Sequence, residues 1–405
     1  MKVLLATGRP PWPPWRGDQL RARQLVEALA PAHEVTWLSP PAAGGGVTSL
    51  ERAAAGEAPL PSGVRRETFR PRAAAWAALA AIPGLLRGWP LQALPFRQPD
   101  FGRRLRALAP RHDVVVLQLA RLLPHLCDVG EVPLVVDLVD CLSLNAATRA
   151  NFDRLPLRPA LRAEARRLAA AEARLIAAAR TALVVSERDR QALASAVAPA
   201  LAGRIAVAPI AMPALAMPEL AATVPPPRPA QGGPTIALTG NLGYFPNRDA
   251  LRFFLAEVWP ALRRAAPDAR LLVAGDRPSA ATARRVAAAG GTLVARPPDL
   301  RSLLAGAAVA VAPLRCGSGV PLKVLDAWAA GAPVVASRFA AAGAGAEPER
   351  DLLVADSPRE WVAQVARLLA DEALRGRLTA AGRARVAELS PQQIYPLLRH
   401  LVTGA

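Results

Sequence analysis

Apolar and polar positions along the first half of the chain follow two alternating periods. Short β-branched runs, typical of buried strands, are separated by longer stretches in which apolar residues recur at helical spacing. The apolar runs are Lys2–Thr7, Glu34–Ser39, Asp113–Leu119, Pro133–Val139, Thr181–Ser186 and Ile205–Ile210, and the helical patterns are Gln19–Leu29 and about Ala160–Ala179. A strand followed by a helix and a further strand indicates a parallel sheet.

The same alternation returns in the second half after an interruption. Pro213–Gly233 is rich in proline and has no periodicity, which is typical of a linker between domains. The later apolar runs are Thr235–Gly240, Ala269–Gly275, Gly291–Arg296, Val309–Pro313, Pro333–Ser337 and Leu352–Asp356, and the helical patterns are Arg248–Ala265, Ala280–Ala289 and Asp299–Ala305. We therefore predict an α/β protein with two doubly wound, Rossmann-like domains that face each other across a cleft.

The predicted domain boundaries follow from this pattern. Residues 1–212 form the first domain, 213–233 the linker and 234–388 the second domain, while 389–405 form a last helix that packs back on the first domain. The length of 405 residues agrees with two domains, because a single hydrophobic core rarely grows beyond ~250–300 residues.

The charge of the chain is strongly positive, with 50 basic and 32 acidic residues and a net charge of +18. Only Lys2 and Lys323 are lysines, so arginine supplies almost all of the positive charge. Two interpretations stay open: a solvated arginine-rich surface, or the attraction of anions such as nucleotide phosphates or anionic lipid. Aromatic residues make up 4% of the chain and interleave with no basic tract, which argues against a nucleic-acid partner.

Cysteine usage and the longest apolar run indicate the compartment. Cys127, Cys141 and Cys316 lack CxxC spacing, so they predict neither a disulfide framework nor a zinc site and favour a reducing cytoplasm. Ala73–Leu86 is apolar but broken by Pro83, and it is shorter than the ~20 residues that span a bilayer. It predicts a buried helix or, because tryptophan and arginine flank it, a segment lying on the inner face of the membrane.

The stretch Arg315–Ser337, RCGSGVPLKVLDAWAAGAPVVAS, holds the strongest candidate site. Parallel sheets bind ligands beyond the carboxyl ends of their strands, where helix N-termini present backbone N–H groups and partial positive charge. Gly317 and Gly319 would let the backbone approach a ligand closely, and Ser318 offers a hydroxyl. The backbone N–H groups from Val320 onward would then face an anion at the start of a helix.

Charged side chains in the same stretch fit the two ends of a nucleotide. Lys323 supplies a mobile point charge for a diphosphate, and Arg315 offers a planar fork. Asp326 follows Lys323 by one helical turn, and its carboxylate suits the paired hydroxyls of a ribose. The alternative is a plain glycine turn with an i,i+3 lysine–aspartate pair.

GSGVPLKVLDAWAAGAPVVAS resembles the signature of the group 1 glycosyltransferases, which use nucleotide sugars and have the GT-B fold. The order of PPWPPWRGDQLRARQLVEAL, VVSERDRQAL, LTGNLGYFPNRDALRFFLAEVWPAL and RDLLVADSPREWVAQVARLL resembles that family over nearly the whole chain. The nearest likeness is to bacterial transferases of exopolysaccharide-type pathways. The resemblance implies transfer of a hexose from a nucleoside diphosphate sugar to an acceptor hydroxyl, with retention, without a metal and without a tightly bound cofactor.

The resemblance also implies which residues bind the donor. Asp326 stands where the family has a ribose-binding glutamate, and Ser318 where many members have a glutamate near the donor sugar. Asn241 and Asn247 replace a basic pair that many members use on the diphosphate, so the phosphate contact is assigned to the motif's own basic residues. The catalytic candidates are Lys323, Asp326 and Arg315, and the donor-binding candidates are Gly17, Gly240, Asn241, Gly275, Arg296, Pro298, Gly317, Ser318, Gly319, Val320, Lys323 and Asp326.

Candidate residues in the first half belong to the acceptor side. Gly17 matches a family glycine that lies over the donor phosphates, and Asp18 and Arg21 follow it with a cleft-facing or a structural role. Asp137 and Asp140 end a strand three residues apart, but no third ligand or DxD motif accompanies them, so no metal site is predicted. The acceptor-side candidates are Asp18, Arg21, His125 and Asp140. The alternative for Asp140 is that it caps the helix that follows the strand.

The predicted function is a glycosyltransferase of glycan, exopolysaccharide or glycoconjugate synthesis. Its acceptor is a saccharide, a lipid-linked molecule or another small molecule, and the donor sugar and base stay open. Two alternatives remain: a nucleotide-sugar-binding protein without activity, because the first family glutamate is absent, or a GT-B nucleotide-sugar epimerase. The expected location is the cytoplasm, and the basic charge is compatible with peripheral contact at the inner membrane face.

Overall fold

The computed structural model describes residues 1–10, 17–41, 61–72, 81–212, 233–297 and 299–404. The chain divides into two compact units, of which the first is Met1–Ala150, Arg154–Ala211 and Pro391–Ala405 and the second is Asn151–Asp153 and Met212–Ser390. Three predicted features lie wholly or partly outside the described residues: residues 213–232 of the linker, residues 73–80 of the longest apolar run, and Pro298.

The described part of the first unit contains a parallel sheet of seven strands in the order β3-β2-β1-β4-β5-β6-β7. The chain adds β2 and β3 on one side of β1 and then returns to add β4 on the other side. The strand order therefore reverses between β1 and β4, which is the switch point of this sheet. The strands are β1 (Lys2–Thr7), β2 (Glu34–Ser39), β3 (Val64–Thr68), β4 (Val114–Gln118), β5 (Leu134–Val139), β6 (Thr181–Val184) and β7 (Ile205–Val207).

Helices cover this sheet and bury its apolar side chains in one core. They are α1 (Gly17–Leu29), α2 (Ala81–Leu86), α3 (Pro99–Leu108), α4 (Leu142–Arg149), α5 (Arg158–Ala178), α6 (Glu187–Ala194) and α7 (Pro199–Ala202), with short 3-10 helices at Leu91–Phe96, Ala109–Arg111, Ala120–Asp128 and Leu155–Leu157.

The second unit repeats this plan with a core of its own. Six parallel strands among its described residues run in the order β10-β9-β8-β11-β12-β13, so the switch lies between β8 and β11. The strands are β8 (Thr235–Thr239), β9 (Arg270–Gly275), β10 (Thr292–Ala295), β11 (Val309–Ala312), β12 (Val334–Ala336) and β13 (Leu353–Val354). Two parallel-sheet α/β domains confirm the predicted fold class.

The helices of the second unit are α8 (Phe245–Phe253), α9 (Trp259–Ala265), α10 (Ala280–Ala288), α11 (Leu300–Ala305), α12 (Leu322–Ala330), α13 (Arg338–Ala344), α14 (Pro358–Ala370) and α15 (Glu372–Glu388). The last helix, α16 (Pro391–Thr403), belongs to the first unit and packs on α1. There the Tyr395 hydroxyl donates to Glu27 Oε2 at 2.5 Å, and Arg399 Nε donates to the Ala28 carbonyl at 3.1 Å.

Two elements differ from the sequence prediction. The helix predicted over Arg248–Ala265 is interrupted by a π-helical turn at Phe254–Val258, next to Pro260, which has no N–H to donate and whose ring disturbs the preceding turn. The edge strand Val64–Thr68 was not predicted, because its sequence VRRET has no apolar run. Charged side chains are common on edge strands, where they discourage pairing with another chain.

Candidate functional site

The second sheet places its candidate site at the carboxyl ends of β8, β9 and β11. The two central strands, β8 and β11, flank the switch point, where open parallel sheets bind ligands. Gly240 directly follows β8, Gly275 ends β9, and the turn with Gly317 and Gly319 leads from β11 to α12. The predicted donor-binding glycines of this unit therefore lie along one edge of one sheet.

Gly240 and Gly275 bring two of these strand ends into backbone contact. Their φ angles are 139° and 156°, and a Cβ atom on Gly275 would lie 1.8 Å from the Gly240 carbonyl oxygen. No side chain larger than hydrogen fits at Gly275 unless the strands separate. The edge is thus lined by backbone at this point, which leaves room for a ligand to approach the main chain.

The turn before α12 also depends on glycine. Gly317 and Gly319 have φ angles of 130° and 70°, a region that residues with a Cβ rarely adopt. Pro321 precedes the first helical residue, and no side chain caps this helix end. Among the described residues the Val324 N–H donates to the Pro321 carbonyl at 2.8 Å, and no side chain caps the N–H groups before it, so the anion contact stays a prediction.

Lys323 lies in the first turn of α12 and reaches back to the β8 turn. Its Nζ donates to Asn247 Oδ1 at 2.8 Å, and Asn247 Nδ2 donates to the Asn241 carbonyl at 2.9 Å. A Cβ atom on Gly240 would lie 3.2 Å from the Lys323 Nζ. The structure therefore brings Lys323, Gly240 and Asn241, all predicted site residues, together.

The Lys323 amino group has no counter-ion in the part of the chain that the structure describes. Its side chain is half-buried and its amino group is surrounded by protein, so burial lowers the pKa of Lys323 from 10.5 to about 7. No nearby carboxylate offsets this burial among the described residues. A bound anion would supply the missing negative charge and favour the protonated ammonium.

Asp326 stands one turn after Lys323, and it has a partner that the sequence did not reveal. Arg301 Nε on α11 lies 3.3 Å from Asp326 Oδ1, with the two side chains 17% and 23% exposed. Burial and the Asp299 carboxylate raise the pKa of Asp326, while Arg301 opposes that shift. Asp326 is thus a partly exposed carboxylate held at one oxygen.

Arg315 was predicted as a phosphate partner, and the structure does not support that role. Its Nε and one terminal nitrogen donate to the two oxygens of Asp249, each at 2.9 Å, and the Asp249 side chain is fully buried. The guanidinium also lies 4.8 Å from the Phe253 ring centroid. Because a bidentate carboxylate already occupies the fork, Arg315 contributes to the packing of this unit.

The other predicted residues of this unit lie around the same edge. Asn241 Oδ1 accepts from the Gly243 N–H at 3.0 Å, and Arg296 follows β10 with a φ of 51°. Arg296 Nε donates to Asp276 Oδ1 at 3.2 Å. Ser318 and Val320 belong to the turn that precedes α12.

In the first unit, the structure buries Arg21 instead of exposing it. Its Nε lies 3.3 Å from Asp137 Oδ2, both side chains are fully buried, and another of its nitrogens donates to the Pro209 carbonyl at 3.1 Å. Gln118 Nε2 also lies 3.4 Å from Asp137 Oδ2. This arrangement does not support an acceptor-side role for Arg21, since its charge serves a buried ion pair.

His125 likewise has a structural environment. The ring is buried, Nδ1 lies 2.7 Å from Asp128 Oδ2, and Nε2 lies 3.1 Å from the Gln98 N–H, which donates to it. Both ring nitrogens have protein partners, so the structure does not support the predicted acceptor-side role of His125.

The remaining candidates of the first unit are closer to the surface. Asp18, directly after Gly17 at the start of α1, accepts from Arg9 at 2.6 Å. Asp140 is half-buried, and the cap of α4 is its neighbour Cys141, whose sulfur accepts from the Leu144 N–H. Capping therefore does not explain Asp140, which stays an acceptor-side prediction together with Asp18.

Three residues that hold charged side chains of the candidate site in the second unit were not predicted as partners from the sequence. Asn247 holds Lys323, Asp249 holds Arg315, and Arg301 holds Asp326. These partners are separated by 76, 66 and 25 residues along the chain, so only the tertiary fold reveals them. Asn247 alone carried a signal, because it replaces a residue that the family uses near the diphosphate.

The described residues contain neither a group of metal ligands nor a membrane-spanning helix. No three His, Cys, Asp or Glu side chains in the described ranges lie together as a metal-ligand group. No helix of the described residues is long and apolar enough to cross a bilayer.

Solved structures of similar fold cover the whole chain at low sequence identity. HepE of Anabaena, in complex with UDP and glucose, has a TM-score of 0.67 and 13% identity, with both chains covered completely. Sucrose-phosphate synthase of Thermosynechococcus elongatus has a TM-score of 0.71 and 17% identity, again over both complete chains. A trehalose-6-phosphate protein of E. coli, bound with UDP-2-fluoro glucose, has a TM-score of 0.64 and 16% identity over 100% of this chain and 99% of its own. These structures show that the chain has the GT-B fold.

The family match falls on the unit that carries the candidate site. Residues 233–371 match the family described as glycosyl transferases group 1. This part of the second unit is therefore similar to a group 1 glycosyltransferase domain, in agreement with the predicted resemblance. No curated protein matches the chain.

Proposed function

We propose that this protein transfers a sugar from a nucleoside diphosphate sugar to an acceptor hydroxyl. The observation that carries the proposal is the Lys323 amino group, which lies beside the Gly240 turn at the switch point of the second sheet and has no counter-ion among the residues that the structure describes. A diphosphate supplies the opposite charge, and the uncapped start of α12 supplies N–H donors to the same anion. The group 1 family match of residues 233–371 supports this assignment.

The proposed reaction uses these groups on the departing diphosphate. The bond from the anomeric carbon to the phosphate oxygen breaks, the acceptor oxygen bonds to that carbon, and the acceptor proton passes to a phosphate oxygen. Negative charge then grows on the diphosphate, where Lys323 and the N–H groups of α12 stabilise it. Proton transfer to the leaving group, retention and metal independence enter the proposal from the family resemblance.

The donor nucleotide is proposed to lie along α12. Lys323 and Asp326 are separated by one turn and share a face of the helix, so one nucleotide spans both. Lys323 meets the diphosphate, and Asp326 meets the ribose. UDP is the first nucleotide to test, because the HepE structure contains it.

The first experiment measures thermal stabilisation by UDP, GDP, ADP and dTDP. Only the nucleotide that binds should raise the melting temperature. Lys323→Met should reduce that rise, while Lys2→Met, at the other lysine of the chain, should leave it unchanged. If no nucleoside diphosphate raises the melting temperature of the wild-type protein, the proposal is wrong.

The second experiment follows the fate of labelled nucleotide sugars, with and without a chelator. Transfer to an acceptor or slow hydrolysis, both insensitive to the chelator, supports the proposal. Tight binding without turnover indicates a protein that binds nucleotide sugars without activity, and isomerisation of the sugar indicates an epimerase.

A lipid-linked acceptor is the acceptor class that the surface favours. Leu86 is 85% exposed and Leu155 is 72% exposed, while Leu91 and Leu157 are each 46% exposed. Leu91 lies beside α5, because Glu164 on that helix accepts from the Leu91 N–H at 2.9 Å, and α5 begins directly after Leu157. Exposed leucines at this density fit a bilayer surface.

Positive charge accompanies these leucines in the sequence. Arg87 follows Leu86, and Arg154 and Arg158 bracket Leu155 and Leu157. Leucines flanked by arginines match an anionic bilayer. Vesicles of phosphatidylglycerol and phosphatidylcholine should sediment the protein, and the double substitution of Leu155→Glu with Leu157→Glu should reduce sedimentation. Equal sedimentation of the variant, or none of the wild type, would contradict membrane contact.

A further inference from the structure

Arg301 is the charged group that the structure places against the Asp326 carboxylate. It lies in the first turn of α11, and Asp299, the cap of that helix, accepts from the Arg301 N–H at 2.9 Å. From there its Nε reaches Asp326 Oδ1 on α12 at 3.3 Å. Helices α11 and α12 pack directly on each other, so this contact joins the two elements.

The contact uses one carboxylate oxygen and leaves the other available. Asp326 Oδ1 faces Arg301, while the described residues donate no hydrogen bond to Oδ2. The Asp326 side chain is 23% exposed, so a ligand can reach it. An ionised carboxylate accepts hydrogen bonds at both oxygens, and ribose hydroxyls are donors of the matching kind.

Without Arg301, the surroundings of Asp326 would disfavour its charged form. Burial and the Asp299 carboxylate both raise the pKa of Asp326, and Arg301 is the group that opposes them. Lys323 lies one turn earlier on α12. The arginine that α15 places against α12, Arg383, lies at Gly331, at the opposite end of that helix.

We propose that Arg301 is a positioning residue for the donor nucleotide: it holds Asp326 through Oδ1 and leaves Oδ2 to accept hydrogen bonds from the ribose hydroxyls. This inference rests on the proposed function, and it adds a residue from outside the motif that the sequence singled out. Arg301 acts through Asp326 and makes no contact of its own with the nucleotide.

The test is the preference for UDP over 2′-deoxy-UDP, measured by calorimetry at pH 6.5 and 8.5. Because both ligands carry the same diphosphate, effects at Lys323 cancel in the ratio of their affinities. The wild type should prefer UDP about tenfold or more at both pH values, and Asp326→Ala should lose the preference. If another base is bound, the same pair of its ribose and deoxyribose diphosphates replaces UDP.

Substitutions of Arg301 separate positioning from general structure. Arg301→Gln should lose most of the preference, because Asp326 is then no longer held through Oδ1, and the loss should be larger at pH 6.5, since lower pH favours the neutral form of a buried carboxyl. Arg301→Lys should keep an intermediate preference. Arg284→Gln, an exposed arginine on α10 of the same unit, is the matched control and should behave as the wild type.

A double substitution distinguishes action through Asp326 from direct contact. If Arg301 acts through Asp326, Arg301→Gln combined with Asp326→Ala binds UDP as weakly as Asp326→Ala alone. Additional loss in the double variant would show direct contact and overturn the inference, as would an unchanged preference in Arg301→Gln. A wild type that binds UDP and 2′-deoxy-UDP equally also overturns it, whereas a wild type that binds no nucleoside diphosphate contradicts the proposed function itself.

Discussion

The two sheets of this protein differ in the environment of one cation near their carboxyl edges. In the first unit, Arg21 meets Asp137 in the interior, and Arg9 meets Asp18 nearer the surface. In the second unit, Lys323 reaches the edge without a counter-ion among the described residues. We expect the paired charges to contribute to stability, and we propose that a ligand supplies the anion for Lys323.

The largest expected effect is on stability, and it comes from substituting Arg21. Arg21→Leu leaves the Asp137 carboxylate buried without its cation, which should lower the free energy of unfolding by about 3–5 kcal/mol. Denaturant unfolding measures the loss. Replacing both residues by leucine should restore part of it, because no buried charge then remains. A single variant as stable as the wild type would show that the pair has no structural role.

Lys323→Met should weaken nucleotide binding and leave the stability of the protein largely unchanged, unlike Arg21→Leu. Donor nucleotide affinity should fall by about 1.5–3 kcal/mol, the size of a charge-assisted contact. The free energy of unfolding should not fall much, because the substitution removes a desolvated charge that has an amide partner, Asn247, but no counter-ion among the described residues. Calorimetry with the nucleotide and denaturant unfolding give the two values. Unchanged affinity, or a loss of stability like that of Arg21→Leu, would contradict the proposed difference between Lys323 and Arg21.

The pH dependence of stability tests the same contrast without a ligand. Because burial lowers the pKa of Lys323 from 10.5 to about 7, the unfolded chain binds one more proton than the native protein between these pH values. The contribution of Lys323 to stability should therefore rise with pH in that range, by about 1–2 kcal/mol for a half-buried side chain. Unfolding measured from pH 7 to 10 should show this slope, and Lys323→Met should remove it.

Local sequence was sufficient to predict most of the fold and the outline of the second site. Apolar β-branched runs predicted the buried strands, because their composition follows from burial on both faces. Glycine predicted the turns after β8, β9 and β11, since positive φ angles there exclude most side chains. The rarity of lysine drew attention to Lys323, which does lie beside the Gly240 turn.

The partners of the charged residues could not be predicted in the same way. Arg315 and Lys323 are eight residues apart in one motif, yet Arg315 pairs with Asp249 and Lys323 with an amide. Their environments depend on helix α8, which supplies both Asp249 and Asn247. A sequence gives the charge of each side chain, but only the packing of distant helices decides which charges are neutralised.

The smallest expected effect is the pH dependence of stability that arises from Glu172 in the first unit. Glu172 on α5 is buried, and burial together with the Asp140 carboxylate raises its pKa to about 7, while the Ser143 N–H, which donates to it at 3.1 Å, opposes that shift. Between about pH 4.5 and 7 the native protein therefore binds one more proton than the unfolded chain, and this contribution to stability falls as pH rises. The slope should be of order 1 kcal/mol and opposite in sign to that of Lys323.

Glu172→Gln should remove this slope while keeping an oxygen that accepts from Ser143. Glu164→Gln, on the same helix, is the control, because Glu164 accepts from the Leu91 and Gln92 N–H groups near the start of α5 and should leave the slope in place. Thermal unfolding from pH 4.5 to 7 measures all three proteins. If Glu172→Gln keeps the wild-type slope, the buried acid of the first unit is ionised through its contacts with α4. Backbone N–H groups would then offset the burial of Glu172, whereas among the described residues no carboxylate offsets the burial of Lys323.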